Sequence, residues 1–192
     1  KFKIKQEKGR HEFLTPDELR KLENLEINDR KLRHVLDAFL FCCYVGLRFS
    51  DFCQLIPANF IRVNGKKWLH FKSVKTGIEL RLPLHLLFEG KALSIMDKYD
   101  ITEFANLGSN SETNKVLAVI TGMARIKKHV TYHTARHTCA TLLIHQGVPI
   151  TTVQRLLGHT SVKTTEVYSE ILSSTIVRDL KAVKRRRAVN NF

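Results

Sequence analysis

A run of ten apolar residues, 38–47, ending on Arg48 constrains this chain more than any other feature. The run is too short to cross a bilayer, which takes about 20 residues as a helix. Leu32, Val35, Leu36, Phe39, Leu40 and Cys43 fall on one helical face, predicting a helix from 28 or 29 through 44 that Gly46 ends. Arg48 is thereby carried close to buried surface. A permanently charged guanidinium is expensive there unless it is paired or meets an anion. Asp51, three residues on, offers the local pairing. A structural ion pair and an anion site are both open on this segment alone.

The charge balance favours the anion. The 192 residues carry 32 Lys and Arg against 18 Asp and Glu, a net charge of +14. Such an excess repels itself in a folded domain, and a polyanionic partner is the usual reason to tolerate it. Nucleic acid is the first expectation; an anionic membrane surface is the rival, for which the chain offers little. The length suits one domain with a single core. The chain begins at Lys1 with no signal or transit-like segment, so it reads as part of a longer protein. Cys42, Cys43, Cys53 and Cys139 show no C-x-x-C spacing. That pattern suits small packing residues in a reduced, bacterial cytoplasmic setting better than a disulfide scaffold.

Organisation follows from local signals. Residues 1–12 are basic and aperiodic, a linker from a missing N-terminal domain; 13–183 form the main domain, and 184–192 a basic tail. Thr15, Pro16 and Glu18 open a helix as N-cap, first helical residue and capping-box partner. Ser50 is placed to cap a short helix over 51–55. The period then changes. Strands are expected over 60–63, 68–74 and 78–84, the first two joined by the Asn64-Gly65 turn, giving a small antiparallel sheet. Helices are expected over 85–99, from Ser109 to about 124, over 133–146 closed by Gly147, and over 150–157 closed by Gly158. Ser161 is read as the cap of a helix carrying Tyr168, with a last helix over 171–183.

Five further residues stand out beside Arg48. His133 and Arg136 lie at i and i+3 on one helical face, able to converge on one phosphate. His137 is also within a turn of His133, and one of these two histidines is expected to be structural. His159 follows a glycine stop, which favours an exposed turn over a core position. Lys75 sits at the tip of the second hairpin, with Lys72 its local rival. Tyr168 lies nine residues past His159; beside Val167 it reads equally well as a core-edge residue. A zinc site is disfavoured, since no H-x-x-x-H has a nearby acidic third ligand and Cys139 stands alone.

These segments resemble the signatures of the tyrosine recombinases, the phage-type integrases, in their catalytic domain. Gly46-Leu47-Arg48 with Asp51 matches the first. His133, Arg136-His137-Thr138 and Ala140-Thr141 match the second, and Leu156-Leu157-Gly158-His159 with Tyr168 the third. Lys75-Thr76-Gly77 before Pro83-Leu84 matches the family's hairpin lysine. The order is the family's, and the match runs from about Thr15 to Ile171. Cys139 departs from a common phenylalanine, which should touch packing only. The context of Arg136 is similar to integrases of Bacteroidetes mobile elements, which points to integration or excision rather than to dimer resolution or inversion.

The resemblance implies an α+β fold, mostly helical, with a small three-stranded antiparallel sheet. It implies a site in which Arg48, Arg136 and His159 hold the scissile phosphate of double-stranded DNA. Tyr168 would attack, His133 would take its proton, and Lys75 would protonate the leaving oxygen. His137 would support the site. No metal, nucleotide or other cofactor is implied, and no membrane. The full-length protein would act as a homo-tetramer on DNA. A DNA-relaxing topoisomerase of related chemistry and a non-catalytic basic DNA-binding module are the rival readings.

Overall fold

The capping box predicted at Thr15 opens the first helix. The computed structural model describes residues 12–161. In α1 (Pro16–Glu23) the Thr15 hydroxyl accepts from the Glu18 amide, and the Glu18 carboxylate accepts from the Thr15 amide. The apolar run lies in α2 (Arg30–Val45), capped by Asp29 and ended by Gly46 at φ 78°. Every residue of this helix from Val35 onward is buried. A helix buried on all sides is a central one. Asp37, the one carboxylate in that stretch, is met by Arg33 at 2.5 Å, Lys98 at 3.3 Å and the Tyr99 hydroxyl at 2.9 Å.

Around α2 pack α4 (Lys91–Met96), α6 (Asn110–Met123) and α7 (Tyr132–His145). The α2–α7 contact is the most extensive, and Tyr132 pins it by donating to the Ala38 carbonyl at 3.1 Å with Cys42 Sγ at 3.2 Å. Thr138 of α7 accepts from the Leu14 amide at 2.9 Å, tying the start of the domain to the same helix. Cys42, Cys43 and Cys139 are buried free thiols, and burial pushes all three up from their ordinary range.

The expected sheet is present, in the order β1 (Phe60–Val63), β2 (Lys66–Lys72), β3 (Glu79–Leu82), all antiparallel. Leu69, Phe71, Leu80 and Leu82 face the core, as the alternation predicts. Asn64 and Gly65 both take positive φ, 50° and 73°, which a tight hairpin of the favoured hand requires. Mostly helical with one small antiparallel sheet, the architecture is the one expected.

Four local expectations are corrected. β2 stops at Lys72 because, although the Ser73 amide still reaches the Ile78 carbonyl, the Ser73 carbonyl turns to the Gly77 amide and Val74 turns to Asp51. β3 spans Glu79–Leu82 and halts before Pro83, which has no amide to donate. The short α3 (Phe49–Phe52) begins earlier than expected, with Arg48 rather than Ser50 at its N-cap. Residues 85–99 are not one helix: Phe88 and Glu89 adopt left-handed φ of 47° and 57° and break it into a 3-10 turn followed by α4. A helix not anticipated, α5 (Ile101–Ala105), is capped by Asp100 through the amides of Thr102 and Glu103. By contrast α6 starts from Ser109, and α8 (Ile150–Leu157) ends at Gly158, where expected. The helices expected beyond Ser161, Tyr168, the basic tail and nearly all of the 1–12 linker lie outside the described residues. Among the described residues no helix is long and apolar enough to cross a membrane.

Candidate active site

Two helix C-termini meet around one guanidinium. Arg136, in the middle of α7, is only 3% exposed. Its Nη1 donates to the Gly46 carbonyl at 2.8 Å and its Nη2 to the Leu157 carbonyl at 2.5 Å. Both acceptors are at helix C-termini, where the peptide dipoles leave partial negative charge, so a buried cation is well placed between them. One side chain therefore joins the turn that carries Arg48 to the turn that carries His159. The two glycines make the approach possible: a Cβ on Gly46 would stand 2.5 Å from the Leu157 Cδ2, and one on Gly158 would stand 3.1 Å from the Leu80 methyls, both at positive φ.

Arg48 follows the α2 cap directly. Its Nη1 donates to Ser73 Oγ at 3.1 Å and lies 3.5 Å from Asp51 Oδ2. Asp51 is buried, within 3.2 and 3.3 Å of Ser73 Oγ and accepting from the Val74 amide at 2.8 Å. The local ion pair read from the sequence thus exists, and it also anchors the turn carrying Lys75. Lys75 itself is exposed at the tip of that turn.

His133, in the first turn of α7, is exposed; His137 is buried beneath it, the two rings meeting edge to face at 4.3 Å between centroids. His159 is half-buried just past α8. Its pKa is pushed down to about 4, by burial first and then by the positive fields of Arg136, Arg48 and His133. The Arg136 bonds to Gly46 and Leu157, two residues before Arg48 and His159, bring those two turns together one helical turn from His133. Two guanidiniums and two imidazoles gathered there suit a phosphate group. At neutral pH His159 is uncharged and able to donate one N–H without adding to the repulsion. Tyr168 lies outside the described residues.

The phage integrase family model matches residues 12–174. The chain belongs to the phage integrase family. Among curated relatives, a tyrosine recombinase of Thermosipho africanus is 32% identical over 169 residues, which cover 83% of this chain and 57% of the relative. The tyrosine recombinase XerC of Oceanobacillus iheyensis is 32% identical over 83% of this chain and 56% of its own length. The chain thus spans a little over half the length of these relatives. Of solved structures, XerA recombinase aligns with a TM-score of 0.68 at 24% identity, over 95% of this chain and 66% of that one. A lambda integrase tetramer bound to a Holliday junction aligns with a TM-score of 0.67 at 21% identity, over 87% of this chain and 50% of that one. At such identities these likenesses establish the fold.

The depressed pKa of His159 has a measurable consequence. Between the ordinary histidine value near 6.5 and about 4, the unfolded chain binds a proton at His159 that the folded chain does not. Stability contributed by this group is therefore intact above about 6.5 and falls as pH drops toward 4. An NMR titration of the His159 ring should show its midpoint near 4, and His159→Gln should flatten that part of the stability–pH curve. A midpoint at 6.5 or above would contradict the arrangement.

Three contributors carried no sequence signal. The Gly46 and Leu157 carbonyls are backbone groups, visible only once the ends of α2 and α8 meet the middle of α7. Ser73 resembles any turn serine until its burial beside Asp51 is seen.

Proposed function

We propose that the chain is the catalytic part of a site-specific DNA recombinase that breaks and rejoins strands through a 3'-phosphotyrosine. What supports this reading is that Arg136 hydrogen-bonds backbone two residues before both Arg48 and His159, one helical turn from His133, in a member of the phage integrase family. In the reaction, the phenolic oxygen of Tyr168 forms a bond to the scissile phosphorus as the bond to the 5'-oxygen breaks. Arg48 and Arg136 hold the non-bridging oxygens, where negative charge builds, and neutral His159 donates to the same oxygens. His133 takes the tyrosine proton, and Lys75 supplies one to the departing 5'-oxygen. The phosphodiester energy is kept in the protein–DNA link. Religation by a 5'-hydroxyl reverses the same steps without a nucleotide cofactor.

Residues 13–183 constitute the catalytic domain in this proposal, 1–12 the connection to a DNA-clamping domain, and 184–192 a basic tail. The partner is double-stranded DNA, approached through the net charge of +14, so binding should weaken steeply with salt. The full-length protein works as a homo-tetramer on its paired sites, in the bacterial cytoplasm, with insertion or excision of a mobile element as its task.

The test is a nicked suicide duplex carrying the parent element's recombination site, incubated in EDTA with the full-length protein and resolved on a denaturing gel. Wild type should leave a covalent 3'-adduct, and Tyr168→Phe none. An adduct that survives Tyr168→Phe would refute the assignment of the nucleophile. Identical DNA behaviour of both proteins with no adduct would favour a binding module, and site-independent plasmid relaxation at catalytic amounts a topoisomerase.

A further inference from the structure

Arg48 and Lys75 come from separate parts of the fold, the end of α2 and the β2–β3 turn, yet the proposed reaction needs them registered on one phosphate. We propose that Ser73 is the positioning residue that registers them, a role that rests on the recombinase reading. Ser73 is 1% exposed. Its hydroxyl accepts from Arg48 Nη1 at 3.1 Å and donates toward Asp51, whose two oxygens lie 3.3 and 3.2 Å away. Arg48 and Asp51 are themselves 3.5 Å apart at their closest ion-pair contact, so the hydroxyl closes a three-membered network between cation and anion. A hydroxyl suits this place because it can donate and accept at once.

The same residue is the root of the turn. The Ser73 amide donates to the Ile78 carbonyl at 2.9 Å, and the Ser73 carbonyl accepts from the Gly77 amide at 2.8 Å. Its neighbour Val74 donates its amide to Asp51 Oδ1 at 2.8 Å. Lys75 is the next residue. The turn is thus closed at Ser73 and fastened there to the Arg48–Asp51 pair, so the lysine's reach toward a phosphate held by Arg48 is set from this point. Without the hydroxyl the turn keeps the Val74 bond to Asp51 but loses its direct hydrogen bond to the guanidinium.

A general acid matters only while the leaving group needs a proton, which supplies a test that a merely structural role would fail. Full-length wild type, Ser73→Ala, Ser73→Thr and Lys75→Ala are compared in single-turnover cleavage of the nicked duplex. The duplex carries either the ordinary 5'-oxygen or a bridging 5'-sulfur at the scissile phosphate. A thiolate leaves unprotonated, its thiol having a pKa near 8.5 by analogy with cysteine. Ser73→Ala should slow cleavage of the oxygen duplex by about 10²-fold, the lower range for loss of acid–base help. The sulfur duplex should restore most of that loss, as it should for Lys75→Ala, and Ser73→Thr should stay close to wild type on both. Equal loss on both duplexes, or no loss on the oxygen one, overturns the proposal. If Ser73→Ala does not fold, Ser73→Cys, which keeps the volume and weakens both hydrogen bonds, is judged by the same oxygen-to-sulfur comparison. Absence of any adduct with wild type on either duplex would instead bring down the recombinase reading, and this role with it.

Discussion

Arg136→Ala should abolish detectable strand cleavage and also lower the stability of the domain, a double effect that follows from where the guanidinium sits. It bridges the carbonyls ending α2 and α8, and its charge is felt at His159. A guanidinium has five N–H donors, so holding two carbonyls and a phosphate oxygen at once is within its capacity. Truncation leaves both carbonyls without this donor in a buried place, at about 1–3 kcal/mol for each group unless water enters. Against a typical total of about 5–15 kcal/mol the domain should remain folded. The loss of cleavage, about 10²–10³-fold or more for a lost oxyanion donor, then exceeds anything a reduced folded fraction explains. Denaturant unfolding of the 192-residue chain and adduct formation by the full-length variant measure the two effects separately. Arg136→Lys should recover little of either, because an ammonium cannot span two carbonyls on opposite sides in the planar geometry of the fork. If Arg136→Ala unfolds at the wild-type denaturant concentration, the bridging role assigned here is wrong.

The parts of this fold written in local code were legible beforehand. The Thr15 capping box, the Asn64-Gly65 hairpin and the glycine stops at Gly46 and Gly158 each depend on a few neighbouring residues, and each is found where it was expected. Residues 85–99 misled because the helical pattern there says nothing of the left-handed pair at Phe88 and Glu89. β2 ended early in part for a tertiary reason, the buried carboxylate of Asp51 drawing the Val74 amide off the ladder. At the site, spacing pointed to Arg48, His133, Arg136 and His159 as candidates. What spacing could not show is that Arg136 touches backbone from two other motifs, because backbone acceptors leave no trace in residue identity. The sequence also left Arg48 with two competing uses, an ion pair with Asp51 or an anion site. The structure shows the ion pair, and the anion site belongs to the proposed function.

Asp51→Ala brings that point to a measurement. The carboxylate is buried, and it receives the Val74 amide, the Ser73 hydroxyl and the Arg48 guanidinium together. Removing one partner of a buried pair leaves the other charge uncompensated, which destabilises a fold by about 3–5 kcal/mol. Arg48 keeps 16% side-chain exposure and can hydrate in part, so the lower end of that range is expected. Asp51→Asn separates charge from shape. Its amide oxygen can still accept from Val74, so the turn should stay closed and the stability loss should be smaller, on the order of one lost charged hydrogen bond, about 1.5–3 kcal/mol. The asparagine no longer neutralises Arg48, and the site becomes more positive toward a phosphate. Asp51→Asn should therefore bind DNA at least as tightly as wild type while cleaving it more slowly, since the guanidinium is no longer aimed by its partner. Parallel binding and single-turnover cleavage across a salt series would show this split, and weaker binding with unchanged cleavage would mean that Asp51 holds the fold alone and does not aim Arg48.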